Sequence, residues 1–150
     1  MSVFVDREPR AHPVRTSTDR PVNLGQPSPD GNWLVYRTLP RDIFALRLRP
    51  DTSTVPLVTS QFDELEFTLS PDGKWLAYTS NESGQFEVYV RPFPDAAAAR
   101  WQISTRGGAE PHWAHSGREL YYVSNDSRLN AVEVVAGQTF ISGKHTTLFD

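Results

Sequence analysis

The stretch Ser28-Pro29-Asp30-Gly31-Asn32-Trp33-Leu34-Val35-Tyr36 returns as Ser70-Pro71-Asp72-Gly73-Lys74-Trp75-Leu76-Ala77-Tyr78. A worn third copy is Ala114-His115-Ser116-Gly117-Arg118-Glu119-Leu120-Tyr121-Tyr122. The turn glycines stand 42 residues apart, then 44. A period of about 40–50 residues belongs to β-propeller blades and to some helical arrays. Local chemistry chooses between them. Pro-Asp-Gly is a turn: proline presets φ at the first corner and glycine accepts φ > 0. Each turn opens an alternating apolar run, with Leu34 and Tyr36 on one face and Trp33 and Val35 on the other. Leu76/Tyr78 and Leu120/Tyr122 repeat the first face. Period-2 runs of this length are strands.

Working outward, each such strand is followed by a second one: Ile43 to Leu48, Phe86 to Val90 and Leu129 to Val135. Outer strands are expected near Val55 to Thr59, Trp101 to Thr105 and Thr146 to Phe149. Short inner strands precede each Pro-Asp-Gly turn or its worn copy: Val22 to Pro27, Leu65 to Leu69 and Pro111 to Trp113. The result is an all-β fold of antiparallel four-stranded blades, about three per chain. The pattern assigns 22–63, 64–107 and 108–150 to the blades. Residues 1–21 carry two further strands, Val3 to Val5 and Val14 to Thr18. No segment holds a helical period. Ala96 to Ala99 follows Pro92 and Pro94 and reads as a loop tip. We read 1–150 as one domain.

Composition bounds what such a domain can do. The 150 residues carry 15 Lys+Arg against 18 Asp+Glu, a net charge of −3. That argues against broad electrostatic binding to nucleic acid or an anionic membrane. No apolar run approaches the roughly 20 residues of a membrane helix. Cysteine is absent, which removes disulfides, thiolate catalysis and Cys-ligated zinc. The first ten residues, with Asp6, Arg7, Glu8 and Pro9, do not read as a secretory signal.

The motif Ser-Pro-Asp-Gly-x-Trp-Leu-x-Tyr resembles the TolB-like, WD-repeat-related β-propeller motif. Ser70 to Pro94, with Asn81-Glu82-Ser83-Gly84 and Glu87-Val88-Tyr89-Val90-Arg91-Pro92, is closer still. It resembles the last blades of TolB-like propellers attached to bacterial serine/threonine kinases. Trp101 to Thr105, Gly117 to Tyr122 and Leu148-Phe149-Asp150 continue the likeness. Val3 to Arg7 is similar to the segment that opens such propellers. The resemblance implies a sensory or interaction domain of a bacterial signalling system, in an extracytoplasmic setting. It also implies a ring of about six blades, of which this chain supplies half. A three-blade strip leaves two blade faces uncovered. Several hundred Å2 of exposed face at each end, at about 25 cal/mol per Å2, forfeits on the order of 10 kcal/mol. The expectation is therefore a homodimer that completes the ring.

In propellers the innermost strand lines a central channel. Aligned on the turn glycines, Gln26, Thr68 and His112 are equivalent, and two residues earlier stand Leu24, Glu66 and Glu110. Alternation puts both sets on one side. Gln26, Glu66, Thr68, Glu110 and His112 are thus the candidate ligand-binding residues of the channel. Glu64 shares their face only if no bulge intervenes. Paired carboxylates with a histidine can transfer protons or bind a cation. A channel-sited hydrolase or lyase using Glu66, Glu110 and His112 is therefore the alternative reading. The blander one is a hydrated polar channel.

Other candidates read as structure. His112 and His115 sit where a strand gives way to a turn, so their side chains diverge and no metal pair forms. Asp30 and Asp72 accept backbone hydrogen bonds within their turns, a role Ser116 takes over in the third copy. The repeated Trp, Leu and Tyr positions are blade core. Trp101 and Tyr89, less clearly repeated, are the candidates for a lectin-like contact. Arg106-Gly107-Gly108 lacks the following helix that a phosphate cradle needs and reads as a loop. The nucleophile-elbow, phosphate-loop and zinc-protease signatures are absent. The leading reading is a non-enzymatic module that presents loops and a channel to a protein, peptide or small ligand, and no cofactor is implied.

Overall fold

In a computed structural model, the described residues are 3–5 and 12–14 as strand backbone, then 21–137 and 139–149. The side chains of Leu24 and Ala136 lie outside this description. β1 (Val3–Val5) and β2 (His12–Val14) pair antiparallel. The second of these lies earlier than the Val14 to Thr18 expected, and most of that expected strand falls outside the described residues.

Three four-stranded antiparallel sheets follow, each in simple sequential order. The first comprises β3 (Val22–Pro27), β4 (Trp33–Thr38), β5 (Ile43–Arg47) and β6 (Ser53–Val58). The second comprises β7 (Glu64–Leu69), β8 (Trp75–Ser80), β9 (Glu87–Pro92) and β10 (Trp101–Gln102). The third comprises β11 (Ala109–Trp113), β12 (Glu119–Val123), β13 (Leu129–Ala136) and β14 (Phe140–Phe149). β14 is ten residues long and starts six residues before the expected strand. Gly143, inside it, hides the alternation at sequence level. Among the described residues there is no helix.

The repeated turn is built the same way each time. Gly31, Gly73 and Gly117 have φ of 70°, 70° and 71°, a left-handed conformation that glycine reaches without penalty. Their amides donate to the carbonyls of Ser28, Ser70 and Ala114. In the first two copies the serine hydroxyl donates to the aspartate at 2.5 Å and accepts from the tryptophan amide at 3.0 Å. The aspartate also accepts from the backbone of Asn32 or Lys74. Those bonds, with Ser28 first, hold the Asp30 carboxyl below its usual range. Ala114 has no hydroxyl, so Ser116 alone caps the third turn through the Arg118 amide.

Both faces of the second sheet are buried. Its Leu76, Tyr78, Tyr89, Phe67 and Leu69 pack on Val35, Ile43, Ala45, Leu57 and Val58 of the first sheet. Its Trp75, Ala77, Val88 and Val90 pack on Leu120, Tyr122, Val132, Val134 and Phe140 of the third. A single rule joins the sheets: the Trp-x-Val/Ala face of one meets the Leu-x-Tyr face of the next. The outer Leu-x-Tyr face of the first sheet is not open, since Tyr36 and Leu46 there are each 1% exposed. The outer face of the third sheet carries Val135 at 62%, Ile141 at 54% and Phe149 at 69% exposure.

Candidate functional site

The inner strands carry the channel candidates, and each is interrupted at the same place. The pairing register slips between Val22 and Leu24, between Glu64 and Phe67, and between Ala109 and His112. Each slip is a β-bulge, in which one extra residue re-aims the side chains that follow. Glu66 and Glu110 lie inside these bulges, and Glu110 takes a φ of 53°. Simple alternation therefore does not carry from Glu66 to Thr68 or from Glu110 to His112, and a bulge separates Glu64 from the rest of its strand.

Two of the inner-strand positions tie the sheets together. The Oε1 of Gln26 accepts from the Leu69 amide at 3.1 Å, and the Trp113 indole donates to the Thr68 carbonyl at 3.3 Å. Each contact links one innermost strand to the next. Glu66 is half-buried, and its Oε2 makes no hydrogen bond among the described residues. Glu110 and His112 are exposed, and His112 lies opposite Tyr121 on the outer face of the third sheet. Among the described residues no three His, Asp or Glu side chains stand close enough to hold a metal ion.

Both residues expected to make a lectin-like contact are engaged in packing. Tyr89 is 2% exposed and stacks on Tyr78 at 5.7 Å. Trp101 meets Trp75 edge-on at 5.6 Å and Phe140 at 5.4 Å. Tyr89 is buried in the cluster shared with the first sheet, and half-buried Trp101 packs on the cluster shared with the third, because aromatic area is worth most out of water.

The burial of two glutamates, Glu64 and Glu87, has no signal in the sequence, and Glu87 is not among the sequence's candidates. Glu64 is 1% exposed. The Ser60 hydroxyl donates to its Oε1 at 2.7 Å, while its Oε2 has no hydrogen-bond partner among the described residues. Burial, with Asp42 and Glu82 nearby, pushes its carboxyl up to about 7. Glu87, also 1% exposed, is better supplied. It accepts from the Gly107 amide at 2.9 Å, from Gln85 Nε2 at 2.6 Å and from the Ser104 hydroxyl. The Val88 amide donates to that same Ser104 oxygen at 2.8 Å. The Gly107 amide is thus committed inward, and the Gly108 amide donates to the Phe86 carbonyl at 2.9 Å. Arg106-Gly107-Gly108 offers no free amide nest to an anion.

Above this buried carboxylate lies a groove of about 670 Å3 between the second and third sheets. One wall is Gln102 to Gly107, and the other combines the Ser124 to Asn130 hairpin with His145, Thr146 and Thr147. Its chemistry is mixed and polar: amides from Gln102, Asn125 and Asn130, hydroxyls from Thr105 and Ser124, and the cations Arg106 and Arg128. Arg128 pairs with Asp126 at 3.4 Å. The Ser124 hydroxyl and Arg128 hold the Asp126 carboxyl below its usual range. Tyr122 floors the groove, its hydroxyl pushed up by burial and by Glu87. None of this was legible beforehand, because residues of two blades meet only when the blades stack.

No family profile and no curated protein matches the sequence. Solved structures do match in shape. A candidate TolB from Agrobacterium tumefaciens superposes with a TM-score of 0.68 at 21% identity, over 88% of this chain and 50% of that one. A candidate 6-phosphogluconolactonase from Bacteroides uniformis gives 0.65 at 14% identity, over 97% and 48%. The β-propeller domain of Myceliophteria thermophila Cps50 (Swd1) gives 0.63 at 11%, over 93% and 48%. The chain spans about half the length of these structures. At such identities the likeness concerns the fold alone. Repeat, sheet order and structural likeness agree that the chain folds as blades of a TolB-like, WD-repeat-related β-propeller.

Proposed function

We propose that this chain is a non-enzymatic binding module that takes an extended peptide segment in the groove between its second and third sheets. The observation that carries this reading is the groove itself. At about 670 Å3 it falls within the usual range of ligand sites. Its walls offer donors and acceptors in the mixture that a peptide backbone requires. Asp126 and Arg128 largely offset each other, which leaves Arg106 as the cation that favours an acidic side chain or a terminal carboxylate. An aromatic sugar platform is not on offer, since Tyr122 and Trp101 are engaged in the core. The inner-strand positions serve this reading less well, because the Gln26 side chain and the Thr68 carbonyl are occupied in linking sheets.

The test is selection from a displayed library of random heptapeptides, followed by titration of the chain with the selected peptides. Arg106→Ala and Asn125→Ala, both on exposed loops, are expected to weaken binding about tenfold each, or about 1.4 kcal/mol. Arg41→Ala, on the far side of the second sheet, is expected to leave it unchanged. Failure to select any peptide, or binding that ignores the groove variants, would sink the reading.

A further inference from the structure

We infer that the crossover from the first sheet to the second, residues 59–63, is a pH-gated latch, closed while Glu64 holds its proton and opened when Glu64 ionises. A chain of contacts fastens this crossover. The Ser60 hydroxyl donates to Glu64 Oε1 at 2.7 Å and accepts from the Phe62 amide at 3.0 Å. The Asp63 amide donates to Asn81 Oδ1 at 2.9 Å, and the Asp63 carboxylate meets Arg41 at 3.4 Å. The Glu64 amide donates to the Arg41 carbonyl at 3.2 Å. The crossover thus clamps the β4–β5 hairpin of the first sheet to the β8–β9 turn of the second. It stands apart from the groove between the second and third sheets.

Glu64 is the part of this clamp that can change charge out of reach of water. Its side chain is buried, and its Oε2 has no hydrogen-bond partner among the described residues. A carboxyl so placed is far easier to bury neutral than ionised. Its neighbours are mostly acidic. Asp42 follows Arg41 on the hairpin. Ser80, opposite Glu64, accepts the Glu82 amide on its hydroxyl at 3.3 Å, which brings Glu82 to the same end. Glu66, on the same strand, carries a second buried oxygen without a partner among the described residues. Glu87, across β8, is spent on Ser104, Gly107 and Gln85. Of the cations, Arg41 pairs with Asp63 and Arg100 with Glu82. Arg37 alternates with Val35 on the face that meets the second sheet, and its buried Nε makes no hydrogen bond among the described residues.

Ionisation sets a charge between Asp42 and Glu82, the carboxylates of the two elements that the clamp joins. Like charges in a dry setting drive those elements apart. The apolar cluster of Val35, Leu76, Tyr78 and Tyr89 takes no part in this repulsion, so the sheets stay packed while the crossover lets go. Burial, with Asp42 and Glu82 nearby, places the change at about pH 7 in the closed form, and an open crossover returns the carboxyl to its ordinary 4.5. By linkage, the open population should rise about 25-fold between pH 5.5 and pH 8.

The experiment is amide hydrogen exchange of the whole chain by NMR at pH 5.5 and pH 8, each rate divided by that of an unstructured amide at the same pH. Protection of the Phe62, Asp63 and Glu64 amides should fall about 25-fold. The Ile103 amide, bonded to the Val88 carbonyl in the core shared with the third sheet, should keep its protection. Glu64→Gln retains an acceptor for Ser60 and cannot ionise, so its crossover should stay protected at both pH values. If that variant does not fold, the carbon-13 shift of the Glu64 carboxyl decides in the unaltered chain: its midpoint must coincide with the loss of protection. Crossover amides that hold their protection, or gain it because ionised Glu64 pairs with Arg37, overturn the inference. Equal loss at Ile103, a loss that persists in Glu64→Gln, or a carboxyl midpoint away from the loss overturns it also.

Discussion

The side-chain oxygen of Gln26 accepts a hydrogen bond from the Leu69 amide, 43 residues away, at 3.1 Å. One innermost strand is thereby stitched to the next outside any sheet ladder. Gln26→Ala leaves that amide without its acceptor, at a cost of about 1–2 kcal/mol. The urea midpoint should fall accordingly, and Gln26→Glu, which keeps the acceptor, should recover part of the loss.

The Glu87 knot makes a stronger demand. Glu87→Ala strips the acceptor from the Ser104 hydroxyl, the Gly107 amide and Gln85 together. The expected destabilisation is about 3 kcal/mol. Hydrogen exchange at the Gly107 amide should accelerate more than at Leu76, in the opposite interface. Equal acceleration at both would show global loss in place of a local knot.

Glu64 should make stability depend on pH. Its folded carboxyl titrates near 7 against an ordinary 4.5. Below about 4.5 both states hold the proton and the group has no effect. Between the two values the unfolded chain releases its proton first, so stability falls as pH rises. Above 7 the full penalty, about 3 kcal/mol, is in place. Glu64→Gln should flatten this limb. Comparing urea midpoints at pH 5 and pH 8 checks it, and a limb that survives in the variant would clear Glu64 of the effect.

Glycine substitutions should separate strain from collision. Gly31→Ala meets nothing within 4 Å and bears only the left-handed φ of 70°, about 1–2 kcal/mol. Gly107→Ala adds to a φ of 86° a methyl that falls inside the Asn125 side chain. Its loss in denaturant midpoint should exceed that of Gly31→Ala, and Asn125→Gly should restore the difference.

What could be read in advance follows from local chemistry. Ser28-Pro29-Asp30-Gly31 closes its turn with its own hydroxyl, carboxylate and amides. Alternation after each turn assigns Leu76 and Tyr78 to one face and Trp75 and Ala77 to the other. Those choices involve residues a few positions apart, so the repeat, the strands and the sheet order were all legible. β14 was half-missed because Gly143 and a bulge break its period.

The shared face expected of the inner-strand candidates is interrupted on the same ground. Parity predicts a face only while the ladder keeps its register, and bulges at Glu66 and Glu110 add a residue that no pattern of side chains announces. From the sequence Trp101 and Tyr89 read as candidates for an exposed contact, because burial against a neighbouring sheet is not a property of the strand that bears them.

The sequence by itself determined the blades, through turns and alternation acting over short range. Only the tertiary structure decided which faces meet, where Glu64 and Glu87 are enclosed, and that a polar groove opens between the second and third sheets. Those features arise from contacts between residues tens of positions apart, whose free energy depends on stacking and leaves no periodic trace in the chain.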